Sequence, residues 1–309
     1  MNLKISKRWS RDKLIVGNLY KTNAIVFPEF RNFFATGSTD SLIRLWDKTS
    51  FKQISVLKGQ KGSIKKIIID KKTGSLISGG EDMNIFAWDI EYGKILRIFR
   101  GHRSGVNCLS NHPSLNLLVS GSRDNTIRIW DMRMKKEALL IKHHKNQITS
   151  VIFNNESPHL ISSSKDSRIC LWDLIAFKCT NCLLLHPSGI KETKVHSTEL
   201  KFASSCSYLL NFWRIDGFLI KKINIFKNIT LFTFKNNNEF VTVDYTGWMN
   251  FYKWKNFSFP FNPSYGFFPF NQGRSCTPTV MEFSLNSSTF IASNKIGEMG
   301  IFKNKWSMY

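Results

Sequence analysis

Side chains that donate, accept or relay protons recur in this sequence at a fixed interval of 42 residues. His102, His144 and His186 form one series, which runs back through Gln60 to Asn18. Asp40, Asp82, Asp124 and Asp166 form a second, and Thr36, Ser78, Ser120 and Ser162 a third. Imidazole, carboxylate and hydroxyl are the parts of acid–base and nucleophilic catalysis. No nucleophile elbow, P-loop, dinucleotide fingerprint or HExxH accompanies them. No catalytic residue, cofactor or small-molecule substrate is therefore expected, and the chain is not expected to be an enzyme. Cys179 and Cys182 make a CxxC pair. A zinc site needs two more ligands, and no second CxxC exists. The pair also falls on an expected outer strand, where residues three apart face opposite sides. No metal site is expected there.

The same interval organises the strands around these residues. Trp-Asp pairs fall at Trp46-Asp47, Trp88-Asp89, Trp130-Asp131 and Trp172-Asp173, and a fifth Trp follows at Trp213. Each pair closes an alternating, β-branched run (SLIRLWD, MNIFAWD, NTIRIWD, SRICLWD), the pattern of a half-buried strand. An indole has one donor and no acceptor, so its burial demands a hydrogen-bond partner. Coincident positions at one period resemble the WD-repeat family of β-propellers, whose four-stranded blades span about 40–45 residues. The resemblance implies a tetrad in each blade. His bonds the Asp of a tight turn and the Ser or Thr hydroxyl of the second strand, and that hydroxyl bonds the Trp indole. His102, Ser120, Asp124 and Trp130 make one full set; His144, Ser162, Asp166 and Trp172 make another. Asn18, Thr36, Asp40 and Trp46, and Gln60, Ser78, Asp82 and Trp88, make partial sets in which an amide replaces His. All are expected to be structural.

Closing aromatics at 46, 88, 130, 172, 213, 252 and 302 count seven blades. The expected fold is all-β, a seven-bladed WD-repeat β-propeller occupying residues 1–309 as one domain. The tetrad decays along the chain. Tyr208 stands near the expected Asp of the fifth blade, Tyr252 and Phe302 replace Trp in the last two, and Ile296 takes the last Asp place. The final interval is 50, so an insertion is expected between blades six and seven at about 254–278. The stretch DKLIVGN (12–18) is expected to be an N-terminal strand pairing into the last blade. That closes the ring and removes the edges an open sheet would expose.

Charge sets the surroundings. Among 309 residues, 44 Lys and Arg face 22 Asp and Glu, a net charge of +22, which favours an anionic partner. Eight of the acids are the repeat Asp residues, so the rim of the ring is expected to be strongly basic. Candidate phosphate contacts are Lys4, Lys7, Arg8, Arg11 and Lys13; Lys65, Lys66, Lys71 and Lys72; and Arg133, Lys135 and Lys136. No run of 18 or more apolar residues is present, and MNLKISKRWSRDK lacks the apolar core of a secretory signal, so no membrane partner is expected. Six cysteines are too few for a disulfide scaffold.

The third blade is the most informative. HRSGVNCLSNHPSLNLLVSGSRDNTIRIWDMR (102–133) resembles the pleiotropic regulator family of splicing-associated WD-repeat proteins, in its HxSGV start, its HP-S-L-x-L turn and its RD…WDMR ending. The likeness spans roughly residues 9–305 and is strongest over 100–175. It implies a scaffold of the NineTeen complex in pre-mRNA splicing, with splicing proteins as partners and non-specific contact with small nuclear RNA. It also implies a nuclear location, and the compact form suits a nucleomorph. The family's long N-terminal extension is expected to be absent. Trp130, Asp131 and Arg133 fit the WDxR pattern of propellers that act as substrate receptors of cullin-RING ubiquitin ligases; a ribosome-assembly propeller is a further alternative. Within the insertion, Phe257, Phe259 and Phe261 alternate as a strand face would, and Phe267, Phe268 and Phe270 are expected to form a partner-binding patch.

Overall fold

A computed structural model describes residues 9–15, 20–28, 31–134, 136–153, 159–176, 178–196, 201–225, 227–236, 239–253, 263–270, 277–284 and 289–304. They form 28 strands and, among the described residues, no helix. The strands make seven antiparallel sheets of four, which are the seven blades. Blades one to six are built in chain order. Blade seven takes its fourth strand from the other end of the chain: β1 (Trp9–Ile15) pairs antiparallel with β28 (Met299–Asn304). The ring is therefore closed by an N-terminal strand. That strand begins at Trp9 rather than at Asp12, with Trp9 itself buried against Phe251, Phe283 and Phe290.

Apolar side chains of one blade pack into the next, so the core is a set of clusters between blades. One such cluster joins Ala35 and Leu45 of blade one to Ile64, Ile67 and Trp88 of blade two. Every closing aromatic stands opposite a partner on the neighbouring strand. The partner is Leu in blades two to four (Leu76, Leu118, Leu160) and Phe elsewhere (Phe34, Phe202, Phe240, Phe290). The Phe partners stack on their aromatics, most closely Phe290 on Phe302 at 4.6 Å and Phe240 on Tyr252 at 4.8 Å.

The fourth strand of blade six is β25 (Tyr265–Phe267), which pairs with β24 (Met249–Lys253). It comes from the expected insertion, and its role changes the reading of the phenylalanines there. Phe270 is buried in the core between blades six and seven. Phe267 stacks on Phe251 at 5.9 Å and approaches Phe302 at 5.8 Å, and Phe268 packs edge-on against Trp248 at 4.7 Å. Phe267 and Phe270 turn into the core and Phe268 lies half-buried on Trp248, so the three do not form one exposed patch, because the blade needs a fourth strand and an apolar seal. Phe257, Phe259 and Phe261 lie outside the described residues.

A second difference concerns the CxxC pair. In blade four, β16 (Ile169–Asp173) pairs with β17 (Lys178–Leu183), Leu171 opposite Asn181 but Trp172 opposite Cys179. Thr180 is thus an extra residue, a β-bulge. A bulge resets the alternation of faces, so Cys179 and Cys182 share one face with Cys170 and Trp172. The expectation that they face apart is therefore not met, because the bulge breaks the alternation between them. The same shift precedes the Trp of blades one, two, three and five.

Candidate functional site

The repeat residues converge inside each blade. In blade three, the Trp130 indole N–H donates to Ser120 Oγ at 2.8 Å, Ser120 lies 2.7 Å from His102 Nε2, and His102 Nδ1 lies 3.0 Å from Asp124 Oδ2. Blade four repeats the set with Trp172, Ser162, His144 and Asp166 at 2.8, 2.8 and 2.9 Å. Indole only donates and an ionised carboxylate only accepts, so the hydroxyl accepts from Trp and Nδ1–H donates to Asp; a neutral imidazole then accepts the hydroxyl proton at Nε2. Burial holds the His144 pKa below its usual value against the opposing pull of Asp166. Asp124 and Asp166 are lowered as well, for a different reason. Burial raises each, but hydrogen bonds from the histidine and from backbone amides outweigh it and hold both below the ordinary carboxylate range.

Blade two runs the same relay through an amide. Trp88 donates to Ser78 at 2.8 Å, Ser78 donates to Gln60 Oε1 at 2.9 Å, and Gln60 Nε2 donates to Asp82 at 3.0 Å. In blade one, Trp46 donates to Thr36 at 2.9 Å, while Asp40 is held by Arg44 at 2.7 Å and by Ser38. Asn18 lies outside the described residues. Serine, histidine and aspartate in this order match a catalytic triad in composition. Here Ser78, Ser120 and Ser162 have no exposed surface and each already accepts an indole N–H. A hydroxyl so covered has no room for a substrate carbonyl.

The sequence left part of the pattern unread in the later blades. In blade five, Trp213 donates to Ser204 at 2.7 Å, and Ser204 lies 2.7 Å from His186 Nε2. Serine and Trp are nine residues apart there instead of ten, because the hairpin is one residue shorter. Tyr208 is exposed, and His186 Nδ1 has no hydrogen-bond partner. In blade six the Tyr252 hydroxyl bonds Thr242, ten residues earlier, so half of the relay survives. The turn cap moves instead of vanishing. Asp244 Oδ1 accepts the amides of Thr246 and Trp248, and Asn294 Oδ1 those of Ile296 and Glu298. Both caps lie eight residues before the closing aromatic, not six. In six blades the residue five before that aromatic has positive φ: Ser41, Met83, Asn125 and Ser167 in blades one to four, but Gly247 and Gly297 in blades six and seven. Glycine takes that conformation without strain, so the relay Asp is not needed to hold it.

The innermost strands line a central channel of about 790 Å³. Asn23 and Asn107 each donate to the backbone of the next blade, at Ile64 O (2.8 Å) and Ile148 O (2.9 Å), and Lys191 does the same at Ile229 O (2.6 Å). Farther in, Lys66, Glu192, Lys194 and Glu282 face one another across the channel. Lys194 sits 3.3 Å from Glu192, whose charge raises its pKa, while repulsion from Lys194 and then burial lower that of Lys66. With Lys65, Lys71 and Lys191 also in the lining, lysines outnumber the two glutamates and the channel is net basic.

The candidate phosphate contacts among the described residues are spread over several blades. Lys65 pairs with Glu81 at 2.9 Å and lines the channel with Lys66 and Lys71; Lys72 reaches Ser114 O of the next blade. Lys13 bonds Ser50 O, and Arg11 and Lys136 are exposed. Lys4, Lys7, Arg8 and Lys135 lie outside the described residues. In the WDxR segment Trp130 is buried, and Arg133 is exposed but doubly bonded to Asp131 (3.0 and 2.7 Å), which lowers the Asp131 pKa to about 2. Among the described residues, His143, Cys170 and Cys179 bring three metal-binding atoms within 4.8 Å of one another.

Comparison with known proteins agrees with this geometry. Residues 16–47, 93–131 and 135–173 match the WD40 family, described as WD domain, G-beta repeat. No curated protein matches the chain. Two of the matched segments end on the tetrads of blades three and four, where the relay is complete. WD40 repeats set in a ring of seven four-stranded blades support a WD-repeat protein.

Proposed function

We propose that the chain is a non-catalytic scaffold of pre-mRNA splicing, acting in the nucleus or a nucleomorph as part of the NineTeen complex. The observation that carries this reading is the blade-three stretch 102–133, with its likeness to the pleiotropic regulator family. WD40 propellers in general serve as scaffolds that mediate protein–protein contacts. The covered hydroxyls of the relays are consistent with that use, since they fix the blades and leave the loops for partners. The net charge of +22 suits an RNA-rich assembly, where contact with small nuclear RNA would be salt-dependent and largely independent of sequence.

Affinity purification of the tagged protein from its own cells, with mass spectrometry and RNA sequencing of what is retained, tests the proposal. Splicing proteins and small nuclear RNA are expected. Recovery of pre-ribosomal particles without splicing components would overturn it in favour of ribosome assembly. Recovery of a cullin-RING adaptor, lost on Arg133→Ala, would favour the ubiquitin-ligase reading. The exposure of Arg133 permits that reading, although docking through the guanidinium would compete with Asp131.

A further inference from the structure

We propose that His143, Cys170, Cys179 and Cys182 form a zinc-binding site on the outer strands of blade four. The four residues come from two places. His143 directly follows the outer strand of blade three (Glu137–Lys142), and the cysteines lie on the two outer strands of blade four. Cys170 and Cys182 are directly opposed, with their sulfurs 3.3 Å apart. The bulge at Thr180 brings Cys179 to the same face, and its sulfur, that of Cys170 and a His143 ring nitrogen lie within 4.8 Å of one another. Zinc bonds sulfur at about 2.3 Å, which sets tetrahedral ligands about 3.8 Å apart. His143, Cys170 and Cys179 already lie within 4.8 Å of one another, and the Cys182 sulfur, 3.3 Å from that of Cys170, would complete the set by side-chain rotation.

The donor set selects the metal. Three thiols and an imidazole make the Cys₃His set of structural zinc sites, whereas calcium and magnesium take oxygen. The bulge recurs in other blades, but their equivalent positions hold no such set. Blade three has Arg128, Glu137 and Leu140 there, with Arg128 paired to Glu137, and blade two has Phe86, Ile95 and Ile98. The backbone geometry is therefore general and the ligands are particular to blade four. Three of the six cysteines of the chain meet at this one place.

His143 carries a second signal. The equivalent residues in blades two and three are Gly59 and Gly101, each close against the blade's Trp ring. In blade four His143 packs edge-on to Trp172 at 5.2 Å and stays exposed, so one ligand is open to solvent. Zinc takes cysteine as thiolate, so binding it would release the protons of the three thiols. The bound ion would tie the loop that enters blade four to its two outer strands, beside the His144–Asp166 relay.

The full chain, produced in zinc-supplemented medium and purified under reducing conditions, is expected to hold one zinc per molecule by elemental mass spectrometry. Cobalt substitution should give thiolate-to-metal charge-transfer bands and the visible bands of a tetrahedral ion. Cys179→Ser with Cys182→Ser should lose the metal, while Cys206→Ser, in blade five, keeps it. His143→Ala should retain the charge-transfer bands, alter the visible ones and weaken cobalt binding by roughly tenfold or more, since even outer partners of ligands matter that much. The wild-type spectrum decides the matter if the double variant fails to fold. Folded wild-type protein with no bound metal and three free thiols would overturn the proposal. So would a Cys170–Cys182 disulfide in the reduced preparation, or cobalt spectra unchanged in the double variant.

Discussion

The hydroxyl of Thr279 donates to the backbone carbonyl of Thr22 at 2.8 Å, joining residues 257 apart in sequence. This is the inner fastening of the ring: the innermost strand of blade seven holds that of blade one. The outer fastening is the pairing of β1 with β28. Thr279→Val keeps the shape and removes the donor, so a loss of about 1 kcal/mol is expected in urea unfolding. Deleting residues 1–15 removes a whole strand and bares the edge of β28, and is expected to give aggregated protein. A deletion that stayed soluble with an unchanged melting temperature would show that β1 does not close the ring.

Blade two tests whether an amide is equivalent to imidazole. Gln60 accepts from Ser78 and donates to Asp82, the two tasks His102 performs in blade three. Gln60→Leu leaves the Ser78 hydroxyl without its acceptor and Asp82 with only the Lys61 amide as donor, at a cost of about 1–3 kcal/mol. Gln60→His should restore both bonds and stay within about 1 kcal/mol of the parent. Equal destabilisation by His and Leu, measured by chemical unfolding, would show that the blade is shaped to glutamine alone.

How much of this was legible depends on what a fixed interval can carry. Blades one to four keep one hairpin length, so Asp124 and Trp130, or Asp166 and Trp172, announce themselves by spacing, and the ring follows from counting. Ser204 was hidden because a hairpin one residue shorter moved it to nine residues before Trp213. Asp244 and Asn294 were hidden because glycine at the left-handed turn position let the cap move by two residues. The face shared by Cys179 and Cys182 depends on the bulge at Thr180, and a bulge leaves no mark in the alternation of side-chain types. The inward turn of Phe270 is a tertiary choice: the same apolar run seals a core or covers a partner, and local sequence does not distinguish them.

His186 makes the fold sensitive to acid. Burial, with repulsion from Lys222, lowers its pKa from 6.5 to about 4. The unfolded chain therefore takes up a proton that the folded chain refuses, and stability falls as the pH drops from about 6.5 through 4. The shift corresponds to roughly 3 kcal/mol at full development. His144, also lowered, acts in the same direction, and the depressed Asp124 and Asp166 extend the loss at lower pH. His186→Gln removes the titration while retaining an acceptor for Ser204, as Gln60 does for Ser78. The variant should show a flatter dependence of unfolding free energy on pH between 6.5 and 4. An unchanged slope would assign the acid sensitivity to other groups.

Phe270 decides between a core and a docking role for the segment after blade six. It packs in the cluster of Phe251, Phe283, Phe290 and Phe302, between blades six and seven, next to the closing strand at Trp9. Phe270→Ala opens a cavity at the ring's own seam and is expected to cost about 3–5 kcal/mol. Phe268→Ser, on a half-buried ring that touches Trp248, should cost less. If the segment were mainly a docking patch, both variants would melt like the parent and differ only in the partners they retain. Thermal unfolding of the two variants against the parent separates these outcomes, because a ring that fills the seam cannot be removed without loosening the contact that closes the propeller.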